Sequence, residues 1–340
     1  MEQRTRAYIA CGFIGVIFLL VQVGALALVH PFKQAGLQAV ENPQDPTNSF
    51  AYVAAILVAT VVMLAAIKYG GERLIRAFVV ASGVYLSWYV FRVVVPAVVT
   101  VDGLNVLGVA AAVLLGIALY AYPEWYVIDA AGIVMGAGAA GLFGISFGLL
   151  PALVLLVVLA VYDAISVYGT EHMLALASGV MELKVPVVLV IPLSLSYSYL
   201  SAEMPDPTGE VDEAAANGGE PPAEADTDEG DDADEAFDRD AMFIGLGDAV
   251  IPSVLVASAA FYPPSTVPTV TVAGVTATLP AVTAMIGTYV GLAILLRMVL
   301  KGRAHAGLPL LNGGTIAGYL VGALAAGVPL VQALGLSGLL

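Results

Sequence analysis

The sequence predicts an all-α fold: a polytopic membrane helix bundle of nine transmembrane helices. Three observations predict it. The 340 residues are 60% hydrophobic and only 11% charged, whereas a soluble domain is nearer half apolar and a quarter charged. Apolar runs of about 20 residues, each long enough to cross a bilayer as a helix, recur along the chain. The net charge of −15 belongs to one stretch: residues 203–240 hold 16 acidic side chains and one basic, Arg239, while the rest of the chain holds 11 of each.

In order, the spans fall at 7–30, 49–68, 75–95, 103–121, 125–146, 149–168, 241–262, 279–299 and 308–330. The first is too long for a signal-peptide core and no cleavage site precedes a soluble domain, so it is expected to remain a span. Tyr122, Pro123 and Glu124 make a tight hairpin between the fourth and fifth spans, among the interfacial aromatics Tyr120, Trp125 and Tyr126. The fifth span carries Gly132, Gly136, Gly138, Gly141 and Gly144, small residues that let helices approach closely.

The basic residues set the orientation. With the N-terminus in the cytoplasm, Arg4, Arg6, Lys68, Arg73, Arg76, Lys184, Arg239, Arg297, Lys301 and Arg303 fall at the inner side, and only Lys33 and Arg92 outside. The C-terminus is then external. The organisation expected is an N-terminal bundle over 1–168, a cytoplasmic loop over 169–240 and a C-terminal bundle over 241–340. In the loop, 185–192 is apolar but too short to span, so it is expected at the interface or packed on the bundle. The acidic stretch from 203 has too few large apolar residues to offset its ordering entropy and is expected to be a disordered, solvated tether.

Two membrane carboxylates stand out. Asp163 lies in the sixth span and Asp248 in the seventh, and a carboxylate within a span is costly enough to mark function. At about 1.5 Å per residue, Asp163 some five residues from one inner end and Asp248 some seven from the other both lie roughly 8–10 Å deep. Neither span offers a basic partner. If the two meet, they share a proton. The ionised acid can deprotonate water while the protonated one polarises a peptide carbonyl and protonates the leaving nitrogen. Spacing alone weighs such catalysis equally with proton- or cation-coupled transport, and a channel or scaffold is a third class.

Neighbouring residues suit a peptide substrate. Gly245 and Gly247 flank Leu246 before Asp248 and permit close backbone approach. Pro252 removes a helix hydrogen bond. Tyr162 either donates a hydrogen bond or packs. At the ninth span, Leu308 and Pro309 form either a first helical turn or an extended segment that offers backbone hydrogen bonds to an unwound substrate.

Together these motifs resemble the presenilin and signal peptide peptidase family of intramembrane aspartyl proteases, especially its archaeal members. Tyr162-Asp163 is similar to the family's YD motif and Gly245-Leu246-Gly247-Asp248 to its GxGD motif. Residues 306–309 stand where the family has Pro-Ala-Leu-Pro; Ala306 and Gly307 differ and Leu308 and Pro309 match. The resemblance implies cleavage of membrane-spanning helices, with Asp163 and Asp248 catalytic. Tyr162, Gly245, Leu246, Gly247, Leu308 and Pro309 would support the site or seat substrate. Presenilins are cut in the corresponding loop and need partner subunits. This loop has no obvious apolar plug, so a chain active uncut and without obligatory subunits is expected, with homo-oligomerisation left open.

The remaining ionisable residues suggest no other chemistry. Asp129 reads as an interfacial residue beside Trp125, or as a third carboxylate on the pathway. His30, His172 and His305 form no metal spacing with Cys11 or the carboxylates, so neither metal nor cofactor is expected. Ser146, Ser166 and Ser178 have no nearby histidine for a serine triad. The glycine-rich pieces lack a phosphate-binding arrangement, and no nucleic-acid partner is expected. The partners are the lipid bilayer and transmembrane peptide substrates.

Overall fold

A computed structural model of the chain describes residues 3–69, 71–168, 188–194, 197–200, 241–263, 267–300 and 306–336. The acidic stretch 203–240, the rest of the expected 169–240 loop apart from 188–194 and 197–200, and Lys184, Arg239, Lys301 and Arg303 lie outside the described residues.

Among the described residues, nine apolar helices follow one another: α1 (Gln3–Gln34), α2 (Thr47–Lys68), α3 (Glu72–Val94), α4 (Val106–Ala121), α5 (Trp125–Ser146), α6 (Leu149–Tyr168), α7 (Leu246–Phe261), α8 (Leu279–Val299) and α9 (Gly307–Ala325), before a short α10 (Leu330–Ala333). Among the described residues, seven are long and apolar enough to cross a membrane; α4 and α7, at 16 residues each, are apolar but shorter. At about 1.5 Å per residue a 16-residue helix covers only about 24 Å of a roughly 30 Å core.

The fold is mostly helical, as expected for a membrane helix bundle, but not purely so. Among the described residues, three two-stranded antiparallel sheets accompany the helices: β1 (Thr100–Val101) with β2 (Leu104–Asn105), β3 (Val188–Pro192) with β4 (Ala241–Gly245), and β5 (Thr269–Val272) with β6 (Val275–Thr278). The fourth helix therefore starts at 106 rather than 103, and the seventh at 246 rather than 241. The β1–β2 and β5–β6 turns use Asp102-Gly103 and Ala273-Gly274, all four at positive φ, as two-residue hairpin turns require. Each hairpin runs into a capped helix. Asn105 accepts the Gly108 N–H at the start of α4, and Thr278 accepts the Ala281 N–H at the start of α8. The ninth helix ends at Ala325 rather than 330, with Gly327 at positive φ just beyond.

Burial divides the helices. Helix α2 buries almost none of its residues, as suits a lipid-facing helix, whereas α5 is two-thirds buried. Helix α5 packs on α1, α3 and α7; α7 also meets α1, α6, α8 and α9. One core cluster joins Leu155, Leu156, Val254, Leu255, Ala284 and Tyr319 from α6, α7, α8 and α9. A second joins Ile14, Phe18 and Val21 of α1 to Leu189 and Ile191 of β3 and Leu292 of α8. Val190, pointing the other way, packs with Leu119, Ile128 and Met135. Strand β3 is thus apolar on both faces because helices cover both.

Helices α8 and α9 touch backbone to backbone. A Cβ on Gly287 would lie 2.1 Å from the Gly314 carbonyl oxygen, and one on Gly318 2.2 Å from that of Thr283. Thr288 and Thr315 hydroxyls pair at 2.8 Å inside this seam. Tyr289 of α8 donates to the Gly15 carbonyl of α1 at 2.6 Å.

Candidate active site

Asp163 is buried one turn before the end of α6, with 6% of its surface exposed. Asp248 lies in the first turn of α7, as its third residue. The seven-residue depth expected for Asp248 counted 241–245 as helix. Those residues are extended because they pair with β3, in the register Val188↔Gly245, Val190↔Phe243 and Pro192↔Ala241. The strand delivers Asp248 to the helix N-terminus, where aligned peptide dipoles favour a negative charge.

The start of α9 lies against both carboxylates. Asp163 Oδ2 accepts the Leu308 N–H at 3.0 Å. The Asp248 carboxylate lies against the Cα of Gly307, where a Cβ would be 3.1 Å from Oδ2 and 3.4 Å from both Cγ and Oδ1. One dipeptide, Gly307-Leu308, therefore touches both acids. Ala306 is the extended N-cap, so Gly307, Leu308 and Pro309 are the first three helical residues. Of the two readings for Leu308-Pro309, the first helical turn is the one found. Pro309 has no N–H to lose there, while Asp163 satisfies one of the orphan donors of that turn.

Three hydrogen bonds fasten α9 to α6. Tyr168 accepts the Ala306 N–H through its hydroxyl oxygen at 3.2 Å, Asp163 takes Leu308, and Asn312 donates to the Leu156 carbonyl at 2.9 Å. Tyr168 was not marked by the sequence; an aromatic at the end of a span reads as an interfacial anchor.

The other candidates separate. Gly245 is the N-cap of α7, and Asp248 folds back towards it, with Oδ2 3.7 Å from where a Cβ would stand. Gly247 is exposed with open space beside it. Leu246 points away, into a groove on α5: a Cβ at Gly132 or Gly136 would lie 3.6 or 3.4 Å from its Cδ1. Tyr162 is half-buried, and about 100° around α6 from Asp163 by helix geometry. Its hydroxyl makes no hydrogen bond among the described residues. Pro252 has no N–H to offer the Asp248 carbonyl four residues earlier. Asp129 is buried within the protein, 3% exposed, and its Oδ1 accepts the Val190 N–H at 2.8 Å. Among the described residues, no group of three or more His, Cys, Asp or Glu side chains is placed to hold a metal ion.

Comparison with known proteins gives the arrangement its context. The sequence profile of the family described as signal-peptide peptidase, presenilin aspartyl protease matches residues 15–328. No curated protein sequence matches the chain significantly. Among solved structures, a presenilin family intramembrane aspartate protease in a C222 crystal form is 32% identical, covering 93% of this chain and 99% of its own, with a TM-score of 0.62. The structure of such a protease in a P2 crystal form is 34% identical, covering 92% and 96%, with a TM-score of 0.59. These relatives decide for proteolysis over the transport reading. The chain belongs to the signal-peptide peptidase and presenilin aspartyl protease family, and is a multi-pass intramembrane aspartyl protease.

Proposed function

We propose that Asp163 and Asp248 are the catalytic pair, and that they hydrolyse peptide bonds of transmembrane helices by sharing one proton and activating one water. The observation that carries this reading is the contact of both carboxylates with the single dipeptide Gly307-Leu308. Two carboxyls confined to one dipeptide's surroundings do not both ionise easily. The single negative charge lies between the N-terminal turns of α7 and α9, whose dipoles offset part of its desolvation. With Oδ2 of Asp163 engaged by Leu308, its other oxygen is free for water. The ionised acid takes the water's proton; the protonated acid hydrogen-bonds the scissile carbonyl and then protonates the departing nitrogen. Leu308 and Pro309 set where Asp163 stands.

A helical substrate must first unwind, because its amides are engaged in its own hydrogen bonds. Strand β4 gives the unwound segment a partner. Since the Val190 amide is held by Asp129, the Val190–Phe243 pair is of the non-hydrogen-bonded kind, and the peptide groups of Phe243 face the outer edge of β4. That edge has no strand beside it among the described residues, and it leads directly into Asp248. Substrate adds there as a strand, rather than on an extended Leu308-Pro309.

The membrane crossings number nine in this reading, with β4 completing the crossing that the short α7 leaves incomplete. Non-helical backbone at membrane depth is tolerated where it is buried or lines a water-filled cavity, and hydrolysis needs that water. The bias of Lys and Arg puts the N-terminus and the 169–240 loop in the cytoplasm and the C-terminus outside. The chain works uncut and without obligatory subunits. The test is reconstitution with a labelled single-span substrate: Asp163→Ala and Asp248→Ala each lose cleavage while remaining folded. Wild-type turnover by either variant refutes the pair.

A further inference from the structure

The hydrolysis leaves the most deeply buried carboxylate among the described residues, Asp129, without a part. Its Oδ1 holds the backbone N–H of Val190, at the middle of β3, and its Oδ2 is buried with no partner among the described residues. Because N–H groups alternate across a strand, this bond covers the edge of β3 that faces away from β4 and competes with nothing in the ladder. The same face of α5 continues at Gly132 and Gly136, three and seven residues on. There a Cβ would lie 2.8 Å from Leu189 Cδ2 at Gly132, and close to Leu246 at both positions. Leu189 neighbours Val190; Leu246 lies two residues before Asp248. At the start of α5, Glu124 is also buried and takes the Ser198 hydroxyl at 2.6 Å and the Tyr199 N–H at 3.0 Å. One helix thus grips the strand, its following loop and the residue that introduces Asp248.

We propose that Asp129 is a positioning residue for hydrolysis: by holding the Val190 amide it seats β3 on α5, and β3, through its pairing with β4, sets where Asp248 stands. This rests on the reading of Asp163 and Asp248 as the catalytic pair. A carboxylate oxygen rigidly held in a helix groove gives the strand a fixed height against α5. Apolar packing alone would let it slide.

The test uses the full chain in proteoliposomes with a labelled single-span substrate. Active sites are titrated with a peptide carrying a hydroxyl in place of the scissile amide, so that kcat is counted per competent site. Asp129→Asn keeps an oxygen to accept the Val190 N–H; Asp129→Leu is of similar size and removes it. The expected result is a kcat per titrated site lowered at least tenfold in Asp129→Leu and by less than threefold in Asp129→Asn. A merely structural role would lower the number of competent sites and leave kcat per site unchanged, which overturns the proposal. Equal impairment of the two variants also overturns it, because charge rather than the acceptor would then matter. If Asp129→Leu fails to fold, Val190→Pro removes the donor instead, from a position whose N–H is outside the ladder. It is expected to show the same drop, and wild-type kcat per site there would overturn the proposal. Asp163→Ala and Asp248→Ala run alongside: turnover in either breaks the underlying reading, whereas two inactive variants beside an unimpaired Asp129→Leu break only this inference.

Discussion

The sharpest structural prediction concerns Gly291, which makes no contact with either aspartate. It faces α9 across the α8–α9 seam, and a Cβ there would stand 2.3 Å from the Leu310 carbonyl oxygen, 2.9 Å from its carbon and 3.1 Å from the Leu311 Cα. These are backbone atoms, which cannot swing aside as a side-chain tip does. Ordinary contact begins near 3.4 Å, so Gly291→Ala forces α9 away from α8 by about 1 Å in a close-packed interior. Leu310 is two residues from Leu308, whose N–H is held by Asp163. The displacement therefore reaches Asp163, one of the two proposed catalytic aspartates, through Leu308. Misplacement of reacting groups by about 1 Å costs on the order of 10²-fold in rate, and overpacking costs about 1–3 kcal/mol in stability. Gly313→Ala is the control, because nothing lies within 4 Å of its Cβ position. The assay is kcat on a reconstituted single-span substrate, beside thermal unfolding in detergent. Gly291→Ala should remain folded with kcat reduced about 10²-fold, and Gly313→Ala should match the wild type. Full activity in Gly291→Ala would refute the claim that the α8–α9 seam sets the position of Leu308.

Other expectations follow from single contacts. Gly307→Ala puts a methyl 3.1 Å from Asp248 Oδ2, so the carboxylate must give by a few tenths of an ångström; kcat should fall about two- to tenfold, corresponding to roughly 0.5–1.5 kcal/mol of off-rotamer strain, and Gly307→Val should fall much further. Asp163→Asn should be inactive yet more stable to heat than Asp163→Ala, by about 1 kcal/mol, because the amide oxygen still accepts the Leu308 N–H at the start of α9. Tyr168→Phe removes only the acceptor for Ala306 and should lower stability by about 0.5–1.5 kcal/mol, measured by unfolding, with kcat reduced no more than a few-fold.

How far the sequence could be read depended on what the surroundings demanded. The long apolar helices were legible because a bilayer demands long apolar runs, and the helical starts at Trp125 and Leu149 fall where the composition put them. Strands β3 and β4 were not. Val188–Pro192 lies in an apolar piece expected at the interface or packed on the bundle, Ala241–Gly245 reads as the start of a helix, and their partnership spans 48 intervening residues, which no local pattern records. Missing that pairing put Asp248 deep in a helix instead of on its first turn. The glycines of α5 announced close approach but not its object, which includes Leu189 and Leu246. Asp129 beside Trp125 carried the signature of an interfacial residue; only the fold supplies the Val190 amide that it holds. Leu308-Pro309 was ambiguous because the same pair suits an extended segment or a first turn, and the cap supplied by Asp163 decides between them.

The central claim is that one proton is divided between Asp163 and Asp248 during hydrolysis. Its most direct test is the pH dependence of kcat/KM for a reconstituted single-span substrate, read as the property of the pair. The account predicts a bell: activity is lost on the acid side when both carboxyls are protonated and no base remains, and on the alkaline side when both are ionised and no acid remains. A profile governed by a single ionisation, flat over the whole of either side, would contradict it.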